Sequence, residues 1–250
     1  MDQASWLLTR IFPWYHGRMA QRIEHTGLSP ESTPTLHEDS DGLALICDDL
    51  VLRADFARLL PRLAPSRLQR ELLVRSARLK RLDENTPLHA VDATAGLGED
   101  ALLLAATGFE IVLCERDDII AALLEDALAR ARTHEDERLR NAAARMHLQR
   151  ADSRDVLAGL EDTPDVVLLD PMFPATTKSA RAKKKLQMLQ MLERPCEPAD
   201  EASLLDAALA AHPRKIIVKR PVKGPHLAGR KPDYALAGKA IRFDVIVCPQ

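Results

Sequence analysis

Beyond residue 87 the chain alternates between short apolar runs and stretches with helical spacing. The runs at residues 88–92, 110–114, 146–149, 165–169 and 215–219 are each four or five residues long, a length that suits buried strands better than helices. A sixth run closes the chain at residues 240–248. Between them, residues 100–107, 119–131, 156–160, 183–192 and 202–211 read as helices, rich in Ala, Leu and other apolar residues. Gly108 terminates the first helix, and Asp170-Pro171 stops the fourth strand. Strands separated by helices pair in parallel through crossover connections, so the pattern predicts an α/β fold with a mostly parallel sheet.

Upstream the pattern is less regular. Residues 43–47 and 50–52 suit short strands of a small sheet. Residues 65–82 carry apolar positions at Leu68, Leu72, Leu73, Ala77 and Leu79 with many Arg between them, which predicts one helix. The expected organisation is a small N-terminal α/β segment over residues 1–64, then a main domain over 65–250 whose leading helix lies within 65–86. No internal repeat is visible.

Composition narrows the class. The 250 residues are 46% hydrophobic but only 4% aromatic, so the core must rest on Leu, Ala, Val and Ile. No apolar run approaches the roughly 18 residues of a membrane helix. The apolar residues Trp6, Leu7, Leu8, Ile11 and Phe12 are interrupted by Arg10 and followed by Pro13, which argues against a signal peptide. A cytoplasmic protein without membrane association is expected. Cys47, Cys114, Cys196 and Cys248 form no C-x-x-C pair, so reduced thiols and no metal site are expected. The net charge of −2 conceals an asymmetry: from Ala175 onward 15 Lys and Arg face 7 Asp and Glu. A basic C-terminal third suggests a face that meets polyanions.

In an open parallel sheet, ligands bind beyond the carboxyl ends of the strands. Here four successive ends carry acids: Asp92 before the turn Ala93-Thr94-Ala95-Gly96-Leu97-Gly98, then Glu115-Arg116, then Asp152-Ser153, then Asp170-Pro171. The glycine turn lets backbone approach a ligand before a helix begins. Gly96-x-Gly98-x-x-Ala101 also fits a loose dinucleotide fingerprint, and an acid after the second strand suits the ribose of NAD as well as that of S-adenosylmethionine. The D-x-x-x-G-x-G form of the turn favours S-adenosylmethionine, with Asp152 placed for the adenine amine. Asp170-Pro171-Met172-Phe173 looks like a variant of the D/N-P-P-Y/F motif of amino-methylating enzymes. A conjugated amine is a poor nucleophile, and acceptors on its protons localise the lone pair. Proline fixes the backbone carbonyl there, and an aromatic ring offers an extruded base a stacking surface. Met172 stands where the commoner motif has a second Pro.

Taken together these stretches resemble the RsmJ family, bacterial 16S rRNA guanine-N2 methyltransferases. The resemblance rests on Val91-Asp92-Ala93-Thr94-Ala95-Gly96-Leu97-Gly98, Leu113-Cys114-Glu115-Arg116, Leu169-Asp170-Pro171-Met172-Phe173-Pro174, Val218-Lys219-Arg220-Pro221 and Arg242-Phe243-Asp244. It covers roughly residues 67–247. It implies a Rossmann-like class I methyltransferase fold with S-adenosylmethionine as cofactor. Cofactor contacts are then expected at Asp92, Gly96, Gly98, Glu99, Asp100, Glu115, Arg116, Asp152, Ser153 and Asp170. Asp170, Pro171 and Phe173 are the expected catalytic residues. Lys178, Arg181, Lys183, Lys184, Lys185, Lys219 and Arg220 are the expected RNA contacts. The partner implied is small-subunit ribosomal RNA or the 30S particle, met by a monomer. The chain departs from the family where Glu99 replaces a usual Arg, where Asp152 replaces a usual Ser, and where Pro65-Ser66-Arg67-Leu68-Gln69-Arg70-Glu71 replaces a glycine-rich stretch. Methylation of an amine in a protein or small molecule, and a Rossmann-fold NAD-binding protein, are the alternative readings.

Overall fold

The computed structural model describes residues 34–80, 86–171 and 197–249. The expected helix over 183–192, the N-terminal apolar stretch, Cys196, Phe173 and the basic run from Lys178 to Lys185 lie outside these residues.

Seven strands form the central sheet: β4 (Leu88–Asp92), β5 (Phe109–Cys114), β6 (Met146–Gln149), β7 (Val166–Leu169), β8 (Lys215–Pro221), β9 (Tyr234–Ala237) and β10 (Ile241–Val247). Their spatial order is β6-β5-β4-β7-β8-β10-β9. β4 to β8 pair in parallel, and β10 is antiparallel to both neighbours. The chain runs outward from β4 through β5 to β6, then returns to β7 on the other side of β4. That reversal opens a crevice beyond the carboxyl ends of β4 and β7.

The strands alternate between two apolar layers. Ala90, Ile111, Leu113, Val166, Leu168, Ile217 and Phe243 face one core. It is covered by α4 (Glu99–Ala105), α5 (Asp118–Arg132) and α6 (Glu137–Ala144). Val91, Val167, Leu169, Ile216, Val218 and Ile246 face the other, under α7 (Ser153–Ala158) and α8 (Pro198–Ala210). All four residues of β7 are buried, as expected of a central strand covered on both faces. This is why its sequence is a plain apolar run rather than an alternating one.

Two of the helices expected from sequence start at side-chain caps. Asp117 accepts from Ile119 N at 3.0 Å and Ile120 N at 3.1 Å at the start of α5, and Asp152 accepts from Arg154 N at 3.0 Å at the start of α7. Each satisfies backbone donors that have no intrahelical partner. The last turn of α5 carries Arg130 and Arg132, which favour the negative end of the helix dipole.

The N-terminal strands β1 (Thr35–Asp39), β2 (Gly42–Cys47) and β3 (Leu50–Leu52) form an antiparallel sheet of their own. They are not independent of the main core. Leu45, Leu50, Leu52 and Phe56 belong to the same buried cluster as Leu102, Ile120 and Leu123. Asp126 and Arg130 of α5 fasten the segment through Leu43 N at 3.1 Å and the Ala54 carbonyl at 2.6 Å.

The single helix expected over residues 65–82 is broken. After α1 (Leu60–Leu63) the chain forms α2 (Pro65–Leu68) and α3 (Leu72–Ser76), with Gln69–Glu71 between them. Glu71 is extended at φ −58°, ψ 131°. Its carboxylate is held by Arg62 through two bonds of 2.8 Å. That bidentate pair spans the break and ties Glu71 back to α1.

Candidate active site

The turn after β4 sits at the sheet's reversal point. Gly96 and Gly98 both have left-handed backbones, at φ +52° and +72°. At Gly98 a Cβ would fall 2.8 Å from Leu124 Cδ1 and 3.1 Å from the Phe56 ring, so packing excludes a side chain. At Gly96 a Cβ would meet nothing within 4 Å. The backbone at Gly96 therefore faces open space, as a close-approach cofactor turn requires.

Glu115, at the end of β5, is buried. One carboxylate oxygen accepts from Gly96 N at 3.1 Å and the other from Asp117 N at 2.8 Å. The acid thus braces the glycine turn and the start of α5 together. Beyond β6, Asp152 caps α7 and is gripped by Arg154 through bonds of 2.9 and 2.6 Å. Arg116 pairs with it at 3.4 Å from an exposed position. The Arg154 guanidinium holds the Asp152 carboxyl down at about 2, so it is ionised throughout the physiological range. Ser153 is buried beside it.

Asp170 ends β7. Its N–H donates to Thr94 Oγ1 at 2.6 Å, tying the fourth strand end to the glycine turn. Its carboxylate receives the Lys219 ammonium at 2.9 Å, and the same ammonium reaches Asp100 at 2.6 Å. Glu99 and Asp100 open α4, where acids suit the positive end of the helix dipole. Lys219 is itself pushed up, since Asp100 and Asp170 outweigh its burial. Asp92 lies beneath this cluster, 3% exposed, and accepts from Thr94 N at 3.2 Å. Burial, with Asp100 and Asp170 nearby, pushes its carboxyl up to about 7.

That shift has a testable sign. A carboxyl raised above its usual value favours folding most when protonated; the stabilisation is complete below about 4 and lost as pH rises toward 7. Asp92→Asn keeps an acceptor for Thr94 but cannot ionise. In melting experiments without cofactor, the variant's advantage over the parent is expected to grow from pH 5 to pH 8. The upper limit is about 4 kcal/mol. An advantage that does not change with pH would show that Asp92 is not neutral in the fold.

The structure brings together Asp92, Gly96, Gly98, Glu99, Asp100, Glu115, Asp152, Ser153, Asp170 and Pro171 along one edge of the sheet. It corrects two expectations. Lys219 is not a free RNA contact, because its ammonium is committed to Asp100 and Asp170. Arg220 is 1% exposed and pairs with Glu201 at 3.0 Å, so its guanidinium lies inside the protein. Sequence reasoning also missed Thr94 and the role of Lys219. The available signal was a Lys directly after Ile216-Ile217-Val218, since a cation closing a buried strand needs a partner. Farther along, Arg242 donates to the carbonyls of Pro221, Val222 and Gly224 and to Asp244, which also meets His226. This network holds the loop after β8, and it accounts for the Arg242-Phe243-Asp244 sequence structurally.

No group of three or more His, Cys, Asp or Glu suited to a metal ion occurs among the described residues, and none of their helices is long and apolar enough to cross a membrane. The strand order, the reversed β10, the glycine turn and the acids on successive strand ends define a Rossmann-like class I methyltransferase.

Comparison with known proteins makes the assignment specific. Residues 21–248 match the family described as "Putative SAM-dependent methyltransferase". The Ribosomal RNA small subunit methyltransferase J of Alkalilimnicola ehrlichii is 42% identical over 91% of this chain and 88% of its own length. That of Thioalkalivibrio sulfidiphilus is 44% identical over 78% and 76%. A SAM-dependent methyltransferase from Neisseria gonorrhoeae superposes with a TM-score of 0.68 at 28% identity, covering 89% of this chain and 86% of that one. The chain belongs to the RsmJ family of S-adenosylmethionine-dependent methyltransferases. S-adenosylmethionine is its cofactor, and the site fits it: an open glycine turn and carboxylates able to accept from hydroxyl and amine groups.

Proposed function

We propose that this protein methylates the exocyclic N2 amine of a guanine in small-subunit ribosomal RNA, acting in the cytoplasm as a monomer. The observation that carries the reading is Asp170-Pro171 at the end of β7, tied through Thr94 to the glycine turn. The small-subunit rRNA methyltransferase names of its relatives support the substrate class.

Bound S-adenosylmethionine supplies an electrophilic methyl group on sulfur. The chain's residues do the rest by orientation. Asp170 accepts a hydrogen bond from one amine proton, and the Pro171 carbonyl accepts the other. The nitrogen lone pair is thereby freed from the ring and aimed at the methyl carbon. As the N–C bond forms and the S–C bond breaks, positive charge develops on nitrogen beside the carboxylate, which stabilises it. One proton then leaves the amine for solvent or Asp170. Phe173 is proposed to stack on the extruded base. Lys178, Arg181 and Lys183 to Lys185 are proposed to meet phosphates next to it. Asp92, Glu99, Arg116 and Asp152 complete the proposed cofactor contacts.

The test is transfer of labelled methyl from S-adenosylmethionine to small-subunit RNA, followed by nucleoside analysis. N2-methylguanosine as the labelled product is the expected result. Label on protein or on another base would replace the proposed substrate.

A further inference from the structure

The described residues carry a second basic stretch besides the run that follows the catalytic motif. Between Arg53 and Lys80 the chain carries eight Arg and Lys against two acids, although the whole protein is at −2. Arg58, Arg67, Arg70, Arg75, Arg78 and Lys80 are all exposed. Both acids are engaged: Glu71 by Arg62, and Asp55 by the Ala57 N–H at 3.0 Å. Among the described residues no carboxylate pairs with Arg58, Arg67, Arg70 or Arg75. Six exposed cations in so short a stretch repel one another and cost stability, and none of them has an ion pair among the described residues.

Their placement gives the surface a direction. At one end, Phe56 packs against Gly98 of the cofactor turn, and Arg62 feels the charges of Asp100 and Glu99. This is the catalytic end of the sheet. From there α3 packs along α4 and against β9 and β10. At the other end, the Ser76 and Arg78 carbonyls receive Lys215 Nζ at 3.1 and 2.7 Å. Lys215 begins β8, four residues before Lys219, or roughly 13 Å along the strand. The cations therefore line the flank of the domain from the catalytic end toward the opposite edge. Arg78 also donates to the Gln69 carbonyl at 3.1 Å, which locks the turn that carries Arg70.

We infer that this arginine-rich flank, borne on α2 and α3, is the surface on which the phosphate backbone of the substrate RNA is laid, leading the target nucleotide to Asp170. The inference rests on the RNA-methylating reading for its direction but not for its chemistry. Guanidinium groups on short helices match phosphates in charge and in bidentate geometry, and they are read through backbone rather than base sequence.

The test uses the triple variants Arg67→Glu/Arg70→Glu/Arg75→Glu and Arg67→Gln/Arg70→Gln/Arg75→Gln, which leave Arg62 and Arg78 in place. Binding to purified 16S RNA is measured over a range of KCl concentrations. Each lost phosphate contact lowers the slope of log K against log salt by about 0.7–0.9, so the Gln variant is expected to lose about two units of slope. The Glu variant is expected to bind at least about tenfold more weakly at 0.1 M salt. Melting temperature should be no lower than the parent's, because like-charge repulsion is relieved; S-adenosylmethionine affinity should match the parent, and single-turnover methylation at saturating RNA should keep its rate while the RNA concentration giving half that rate rises. An unchanged slope overturns the inference, and the methylation assay on the same samples shows whether the functional reading still stands. Loss of slope in a protein that methylates no ribosomal RNA would leave the flank an RNA surface and remove the functional reading instead. Weakened binding to 30S particles with unchanged binding to naked RNA would make the partner a ribosomal protein and overturn the RNA assignment.

Discussion

Asp170→Asn is expected to lower the single-turnover rate of methyl transfer by about 100-fold or more while RNA and cofactor affinities stay within a few-fold of the parent. The asparagine keeps one acceptor, so the amine can still be oriented. What disappears is the charge beside the nitrogen as it becomes positive, and groups that act only there typically contribute about 100- to 1000-fold. The structure adds a second element. Burial pushes the Asp170 carboxyl above its usual range, and Lys219 opposes that shift from 2.9 Å. Among the described residues, the charges acting on this carboxylate are Asp92 from β4, Asp100 from α4, and Lys219 and Arg220 from β8, of which Lys219 is in contact. Lys219→Met removes the ammonium in contact with it. Asp170 then holds its proton to higher pH, so the acidic limb of the rate profile is expected to move upward. Lys219→Arg should restore much of the profile, because a guanidinium can also bridge Asp100 and Asp170. A profile that Lys219→Met leaves in place, with only the melting temperature reduced, would make Lys219 a structural tie. Full single-turnover activity in Asp170→Asn would reduce Asp170 to a cofactor contact or a turn residue.

The parts of the site that sequence revealed are those where a single residue's position determines its role. Central strands covered on both faces must be apolar throughout, so the acid that ends each run is visible as a break, as at Asp92, Glu115 and Asp170. The glycine turn is visible because glycine adopts the left-handed backbone at Gly96 most readily and leaves room for the close packing at Gly98. What stayed hidden depends on contacts far apart in the chain. Lys219 lies 49 residues from Asp170 and 119 from Asp100, and read alone it looks like one more cation of a basic segment. Arg220 escapes for the same reason, since it lies on β8 and its partner Glu201 on α8. Local features escaped for another cause. α6 buries only Leu139, Ala142 and Ala143, too few apolar residues to mark a period. β9 is largely exposed at the sheet's edge, and edge strands lack the apolar run of central ones. The break between α2 and α3 is invisible to periodicity because the apolar positions continue across it while Glu71 turns extended.

Glu115→Ala is expected to weaken S-adenosylmethionine binding more than any other single change in the glycine-turn region. Ribose recognition was the role expected of this acid, and the structure gives it a second one. A carboxylate has about four acceptor positions, so bonds from Gly96 N and Asp117 N do not exhaust its capacity for ribose hydroxyls. The alanine variant loses both roles: the hydroxyl contacts and the brace that holds Gly96 in its open conformation. Two charge-assisted hydrogen bonds to ribose, each worth about 1.5–3 kcal/mol, correspond to a loss of roughly 100-fold or more in affinity. Glu115→Gln separates the two contributions poorly but informatively. Its amide group must turn a donor toward either Gly96 N–H or Asp117 N–H, and two donors facing each other in a buried site are unfavourable. The amide variant should therefore resemble the alanine variant in affinity rather than the parent, despite its similar shape. Titration calorimetry with S-adenosylmethionine, run beside a melting curve for each variant, gives the measurement. Parent-like affinity in Glu115→Gln would show that the brace is dispensable, and parent-like affinity in Glu115→Ala would remove Glu115 from the cofactor site altogether.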